Sequence, residues 1–400
     1  MGSNQQTIKY ALSKSIAHEF ITKDEAMSLS KDINKNIEKL CVAASSIRDK
    51  GKGNKITFSP KVFIPLTQLC RDYCGYCTFR KDPKDVKNLY MDPEEILKVV
   101  KKGEQAGCTE ALFTLGERPE LRFEEAKTWL NERGYKTTLE YVTDMCKLVI
   151  NNSTLLPHAN PGTMSKNELR EIKKYNASVG LMLESTSKLL YQPGGPHEFA
   201  PSKRPIARIK TMQNAGELNI PFTTGLLIGI GETLEDRIES LFEILELQKT
   251  YGNIQEVIIQ NFKSKPNTPM SNSDDAETID MLWTISMARL ILGSNMNIQA
   301  PPNLSSDNFE IYLDAGINDW GGVSPITIDY VNPESPWPTL NSLKTKTEAK
   351  GFKLTPRLPV YPEYFIDTNK YLPEYIIEHI RKISDKSGYV KKGIDKYVSN

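Results

Sequence analysis

From about residue 60 to residue 325, short apolar or β-branched runs alternate with longer stretches whose apolar positions recur at helical spacing. The short runs are VFIPL (62–66), EALFTL (110–115), LLPHA (155–159), SVGLMLE (178–184), PFTTGLLIG (221–229), QEVIIQNF (255–262), NIQAPP (297–302) and a weaker INDWGG (317–322). Each has the length and composition of a buried strand. Between the first two, Asp92 as N-cap, Pro93 at the first helical position, Glu94 and Glu95 in the first turn and Gly107 at the end predict a helix. Similar patterns run over 137–151, 165–175, 205–216, 233–250, 276–292 and 306–315. Strand and helix alternating about eight times predict an α/β fold built on a parallel sheet, and the count favours a closed TIM-like (β/α)8 barrel over an open sheet.

Residues 1–60 read as a helical extension outside this rhythm, 61–325 as the barrel, and 326–400, with several prolines and a Lys-rich end, as a C-terminal segment wrapped on the barrel. No stretch is rich enough in Gly or Ser to act as a flexible linker. In such a barrel the reactive groups gather where the strands end and the βα loops begin.

Composition narrows the function classes. Lys plus Arg (51) balance Asp plus Glu (50), so no field of one sign recruits nucleic acid or an anionic membrane surface. No run approaches the ~20 apolar residues of a membrane span, the first residues lack a secretory signal, and Gln6 stands where myristoylation wants Ser or Thr. Six cysteines in 400 residues are too sparse for a disulfide scaffold, which fits a cytoplasmic, reducing setting.

Three of those cysteines, Cys70, Cys74 and Cys77 in LTQLCRDYCGYCTFR, directly follow the first strand. Thiolates select iron-sulfur clusters, zinc or cuprous copper, and a cluster is ordinarily held by four of them, so three leave one metal open for chemistry. Gly75 lets the loop wrap a cluster, and Tyr76 is set to shield it from water. A three-thiolate zinc site completed by a distant His, or unligated thiols, are the alternatives at this point. Cys41, Cys108 and Cys146 are isolated and read as small buried hydrophobes.

Further signals stand at the strand ends. Leu115-Gly116-Glu117-Arg118-Pro119 follows the second strand, Glu184 ends the fourth, and Gly225-Leu226-Leu227-Ile228-Gly229-Ile230-Gly231-Glu232 closes the fifth. The last allows close backbone approach to a flat ligand but lacks the third glycine of a dinucleotide fingerprint.

Taken in this order, the cysteine triplet, GERP, Glu184 and GLLIGIGE resemble the radical S-adenosylmethionine (SAM) superfamily, over most of residues 60–325. The resemblance implies that Cys70, Cys74 and Cys77 bind a [4Fe-4S] cluster whose open iron chelates the methionine end of SAM. It implies further that Tyr76 precedes the last ligand as the family's aromatic residue, and that Gly116 and Glu117 lie in the turn contacting the cofactor's amino group. That turn departs from the family form, with Leu115 for its first glycine and Arg118 inserted before Pro119. By the same resemblance Glu184 binds the ribose hydroxyls, Arg208 pairs with the cofactor carboxylate, and Gly225, Ile228 and Gly229 lie near the adenine. Arg204 and Lys210 are close rivals to Arg208.

The stretches LTQLCRDYCGYCTFRKDP, LGERPE, LPHANPG and IPFTTGLLIGIGET are similar to the family of small, ring-closing deazaflavin synthase subunits. This implies a lyase that acts in coenzyme F-420 biosynthesis on a hydroxybenzyl adduct made by a large, tyrosine-using partner subunit, with a low-potential electron donor. On the substrate side His158 is the candidate for polarising a carbonyl or moving a proton, with Asn160 as companion. Gln260, Asn303 and Asp319 are candidates for polar contacts, and Trp320, Tyr330 and Trp337 for stacking. Two other readings remain at this stage: a related radical SAM enzyme, such as the large subunit or a menaquinone-pathway homologue, and a noncatalytic iron-sulfur electron carrier.

Overall fold

The computed structural model describes residues 2–17, 19–31, 33–305 and 307–394. Three helices, α1 (Gly2–Ile16), α2 (Lys23–Leu29) and α3 (Ile33–Lys52), precede the first strand. The eight barrel strands are β1 (Lys55–Thr67), β2 (Glu110–Leu115), β3 (Leu156–Asn160), β4 (Ser178–Gly180), β5 (Phe222–Ile228), β6 (Ile254–Asn261), β7 (Asn297–Gln299) and β8 (Asp319–Val323). They pair in sequence order, all parallel, and β1 meets both β2 and β8, so the sheet closes. The expected (β/α)8 barrel is the observed fold.

Around it lie α4 (Pro93–Gln105), α5 (Glu124–Glu132), α6 (Thr138–Asn152), α7 (Lys166–Lys173), α8 (Pro205–Glu217), α9 (Leu234–Tyr251) and α10 (Thr278–Leu292). Local chemistry explains their starts. Asp92, Ser165 and Thr233 each form a capping box with a carboxylate three residues on, satisfying otherwise orphaned backbone donors.

α5 is not among the helices expected from the sequence, and four of the expected elements differ in the structure. β1 begins at Lys55 rather than 62, because Thr57, Ser59 and Lys61 turn polar side chains into an unusually polar barrel interior and so break the apolar run. β4 is short: Glu184 takes a left-handed backbone (φ 67°), and only a bridge to Leu226 continues the pairing. β7 stops at Gln299, before Pro301 and Pro302, which cannot supply ladder donors. The helix expected over 306–315 is a 3-10 turn, Phe309–Leu313, ended by Gly316 at φ 101°; residue 306 lies outside the described residues.

After β8 the chain forms α11 (Leu340–Ala349), a ninth strand β9 (Lys353–Pro356) paired with Lys55–Phe58 at the start of β1, and α12 (Glu374–Ile383). Residues 357–364 pass beneath the barrel. There Arg357 meets Asp319 at 2.6 Å and Glu256 at 2.7 Å, and the Tyr361 hydroxyl donates to Glu256 at 3.0 Å. Ile376, Ile377 and Ile380 of α12 bury against Ile150, Leu156 and Ala177. The N-terminal end of the barrel is thus plugged, leaving the C-terminal end for chemistry.

Candidate active site

At the C-terminal strand ends lies a cavity of about 350 Å³, lined on one side by Cys70, Cys74 and Cys77. The cysteine loop is held from two directions. Tyr73 N–H donates to Phe199 O (2.9 Å) and Gly75 N–H to Pro196 O (2.8 Å) in the connection before α8, while Met270 N–H donates to Gly75 O (3.0 Å). Gly116 is required by space: a side chain there would overlap the Leu69 carbonyl and Cys70. That close approach lets Glu117 N–H donate to Cys70 Sγ at 3.2 Å. Burial raises the Cys70 thiol to about 12 and pushes Cys74 up as well.

The next wall brings together residues from three loops. The Glu117 carboxylate accepts from Thr163 N–H (3.0 Å) and Thr163 Oγ1 (2.6 Å), and Gly162, at φ 89°, leaves room for it. Burial raises the proton affinity of Glu117 despite these bonds. Arg118, inserted in the turn, points away to Glu168 (2.9 Å) and adopts φ 36°, so the insertion is accommodated outside the cavity. Glu184 and Lys203 line the cavity and form an ion pair. Arg208 is buried, donating to Ser202 O (3.0 Å) and Met182 O, and faces the same space. Arg204 and Lys210 are exposed and do not. Tyr76 holds His197 Nε2 at 2.9 Å; burial, with Lys203 and Arg208 nearby, pushes that imidazole down to about 2, so it is neutral.

Three of the glycine-segment residues do not reach the cavity. Gly225 packs on Ile258 and accepts from Glu184 N–H (3.0 Å), Ile228 lies in the core, and Gly229 turns the chain against Ala276. Glu232 caps that turn itself, accepting from Gly229 N–H (2.8 Å) and Ile230 N–H (2.9 Å). Leu227 is the member of the segment that lines the cavity.

His158 also lies elsewhere than expected. It sits in mid-strand, pointing into the barrel below the cavity, with Nδ1 2.5 Å from Ser178 Oγ and Nε2 3.0 Å from Asn160 Oδ1. Burial lowers its proton affinity. Asn160 lines the cavity and His158 does not, so His158 positions Asn160. Asp319 belongs to the plug with Arg357 at the opposite end, because it opens β8 rather than ending it. Asn303 is tied to Asp329 (3.0 Å) behind the wall. Trp320 is part of the cavity lining, while its indole N–H donates to Thr347 Oγ1 (3.0 Å) and its ring meets Phe309 edge-on, away from the cavity. Gln260 and Trp337 also line the cavity, and the Tyr330 ring lies tilted with its centre 6.3 Å from that of Phe63 beside it.

Sequence reasoning missed Lys61, Phe63, Lys203, Lys265, Asp329 and Asn332, all lining residues. Two signals were present. A lysine directly before the apolar run VFIPL marks Lys61, and DYVN in a proline-rich stretch marks the Asp329 turn, where Oδ1 accepts from Val331 N–H (2.9 Å) and Asn332 N–H (3.2 Å).

Comparison with known proteins bears on this arrangement. Residues 64–244 match the model of the Radical SAM superfamily. The chain is 49% identical over 336 residues to 7,8-didemethyl-8-hydroxy-5-deazariboflavin synthase of Methanopyrus kandleri, covering 84% of this chain and 100% of that relative. It belongs to the deazaflavin synthase family of radical SAM enzymes. To the FO synthase of Streptomyces coelicolor it is 41% identical over 394 residues, covering 96% of this chain but 45% of that longer relative. Among solved structures, the FeFe-hydrogenase maturase HydG from Carboxydothermus hydrogenoformans superposes with TM-score 0.72 at 19% identity, over 96% of this chain and 86% of that one. Methylornithine synthase does so with TM-score 0.66 at 20% identity, over 86% and 97%. These two share the fold.

The cofactors of this deazaflavin synthase are a [4Fe-4S] cluster and SAM. The residues fit them: three cysteines on one cavity wall, and a backbone N–H of Glu117 aimed at the Cys70 sulfur. Among the described residues, no helix is long and apolar enough to cross a membrane.

Proposed function

We propose that this deazaflavin synthase is the ring-closing lyase that forms 7,8-didemethyl-8-hydroxy-5-deazariboflavin from 5-amino-5-(4-hydroxybenzyl)-6-(D-ribitylimino)-5,6-dihydrouracil, with loss of ammonia, in coenzyme F-420 biosynthesis. The observation that carries this reading is the match along the whole Methanopyrus relative, joined to one cavity holding all three cysteines. In this reading the barrel is the catalytic unit, beginning at Lys55 rather than at the expected residue 61, and the helices before it and the described segment 326–394 after it brace it.

Cys70, Cys74 and Cys77 would hold the cluster. Bound together, the cluster and SAM supply one-electron, hydrogen-abstracting chemistry at the cavity. Glu117 and the backbone at Gly116 suit the amino group of SAM, Arg208 its carboxylate through a guanidinium fork, and Glu184 its ribose hydroxyls. Lys203 pairs with Glu184 and balances its charge. Tyr76, locked by His197, covers the cysteine loop and keeps water from it. Beyond these residues the cavity becomes mixed aromatic and polar, with Phe63, Trp337, Gln260, Asp329 and Asn332, which suits a phenol joined to a polar heterocycle and a ribityl chain.

The large tyrosine-using subunit would supply the adduct and a low-potential carrier the electron. The test is anaerobic reconstitution with reductant, SAM and the adduct, followed by detection of 5′-deoxyadenosine and a fluorescent deazaflavin. Both products are expected. Deoxyadenosine without deazaflavin would reject this substrate.

A further inference from the structure

Among the buried cations of the barrel interior, Lys61 stands apart. Arg357 is shared by Asp319 and Glu256, Lys203 pairs with Glu184, and Lys265 is held by Val331 O (2.8 Å) and Asn332 Oδ1 (2.7 Å). Lys61 is 8% exposed and lines the cavity, yet among the described residues no carboxylate stands at ion-pair distance from it. Its amine lies 4.7 Å from the Phe63 ring centre and 5.5 Å from that of Trp337. The side chain crosses the strand-eight backbone at Gly322, where any Cβ would overlap its terminal carbons and nitrogen. A glycine has thus made room for an amine beside the aromatic wall.

We infer that Lys61 transfers the protons when ammonia leaves the substrate, an inference that rests on the ring-closing reading above. In that step the bond from the quaternary ring carbon to its amino nitrogen breaks, with the electron pair going to nitrogen. The neighbouring benzylic carbon loses a proton as the carbon-carbon double bond forms. Lys61 Nζ accepts the proton from carbon and delivers one to nitrogen, so ammonia departs neutral and the elimination needs no oxidant. A lysine suits both halves when its proton is loosely held. Burial lowers the proton affinity of Lys61. The groups facing it are Glu110 on β2, Glu256 on β6 and Asp329 after β8, which oppose that effect, and Arg357 after β9, which adds to it. His158 on β3 also feels its charge.

The test uses the reconstituted full-length enzyme with the adduct, comparing wild type, Lys61→Met, Lys61→Arg and Gly322→Ala at matched cluster absorbance and matched Tm. In Lys61→Met, kcat for deazaflavin should fall by about 100-fold or more, the range of a lost general acid-base. KM for the adduct should stay near wild type, deoxyadenosine should still form, and a product retaining the amine should accumulate. Lys61→Arg should not restore turnover, because a guanidinium does not give up its proton. Gly322→Ala, which displaces the amine without removing it, should lower kcat while leaving deoxyadenosine formation intact. Deazaflavin turnover within ~3-fold of wild type in Lys61→Met, or full rescue by Lys61→Arg, would overturn the inference, since a general acid-base is worth far more. Wild-type enzyme that makes deoxyadenosine but no deazaflavin would instead overturn the ring-closing reading, and this inference with it.

Discussion

At the N-terminal ends of the strands, Arg357 bonds Asp319 through two nitrogens (2.6 and 3.0 Å) and Glu256 through one (2.7 Å), and Tyr361 adds a bond at 3.0 Å. At the C-terminal ends, Asp72, Thr114, Asn261 and Trp337 line the cavity, and each keeps a buried polar atom without a hydrogen-bond partner. Both regions are polar and both are buried, so polarity alone does not distinguish them. The difference is that Arg357, Asp319, Glu256 and Tyr361 satisfy one another, while these four cavity residues each keep a buried polar atom without a hydrogen bond. Buried polar atoms are nearly always paired, and although Arg71, Thr109, Glu120, Asn303 and Thr355 also keep an unpaired one elsewhere, the four at the cavity stand on the same wall system as the three cysteines. The lower network serves stability and the upper one chemistry, and mutations should separate the two.

The largest effect should come from Cys74→Ala. Iron content and cluster absorbance should drop, and 5′-deoxyadenosine should fall to background, while the thermal midpoint of the iron-free protein barely moves. Next in size, Arg357→Met leaves Asp319 and Glu256 buried without their cation. It should cost about 3–5 kcal/mol in denaturant unfolding, the usual penalty for breaking a buried ion pair. Deoxyadenosine formed per folded, cluster-loaded molecule should remain at the wild-type level. If Arg357→Met abolished SAM cleavage at full folding, the separation of the two ends would fail.

A smaller effect is expected at the boundary between protein and cofactor. Glu184→Gln keeps the shape but removes the charged acceptor, and it should weaken SAM binding by about tenfold, or ~1.4 kcal/mol, measured by titration calorimetry on the cluster-loaded enzyme. Smallest is a pH effect in the plug. Burial, reinforced by Asp319, raises Glu256 from 4.5 to about 7 against the pull of Arg357. The folded state therefore binds this proton more tightly than the unfolded chain. Its contribution is fully present below the unfolded value near 4.5 and is lost as pH rises through about 7. Thermal midpoints measured across that window should decline with pH, and Glu256→Gln should flatten the decline.

Much of this architecture was legible in the sequence because it rests on local patterns. Alternating apolar runs and capped helices reported the barrel, and the cysteine spacing after β1 reported the cysteine wall of the cavity. Glu117, Glu184 and Arg208 were legible too, since strand-end position and residue chemistry agree there, and all three face the cavity. The failures share a cause. His158 and Asp319 were assigned from their distance along a strand whose ends the sequence blurs. A strand start and a strand end lie at opposite faces of the barrel, so a shift of a few residues changes the role completely. The glycine segment misled differently: its glycines answer to Ile258, Ala276 and the Glu232-capped turn, which are contacts made by distant strands and loops. Lys61 was overlooked because apolar runs define strands, and the polar interior of this barrel breaks that rule.

The most direct test of the account is single-turnover product analysis on the anaerobically reconstituted chain with reductant, SAM and the hydroxybenzyl adduct. The account predicts 5′-deoxyadenosine together with ammonia and a fluorescent deazaflavin, all three lost in Cys74→Ala and deoxyadenosine alone retained in Lys61→Met. A fully cluster-loaded wild-type enzyme that cleaves SAM yet returns the adduct unchanged would contradict it.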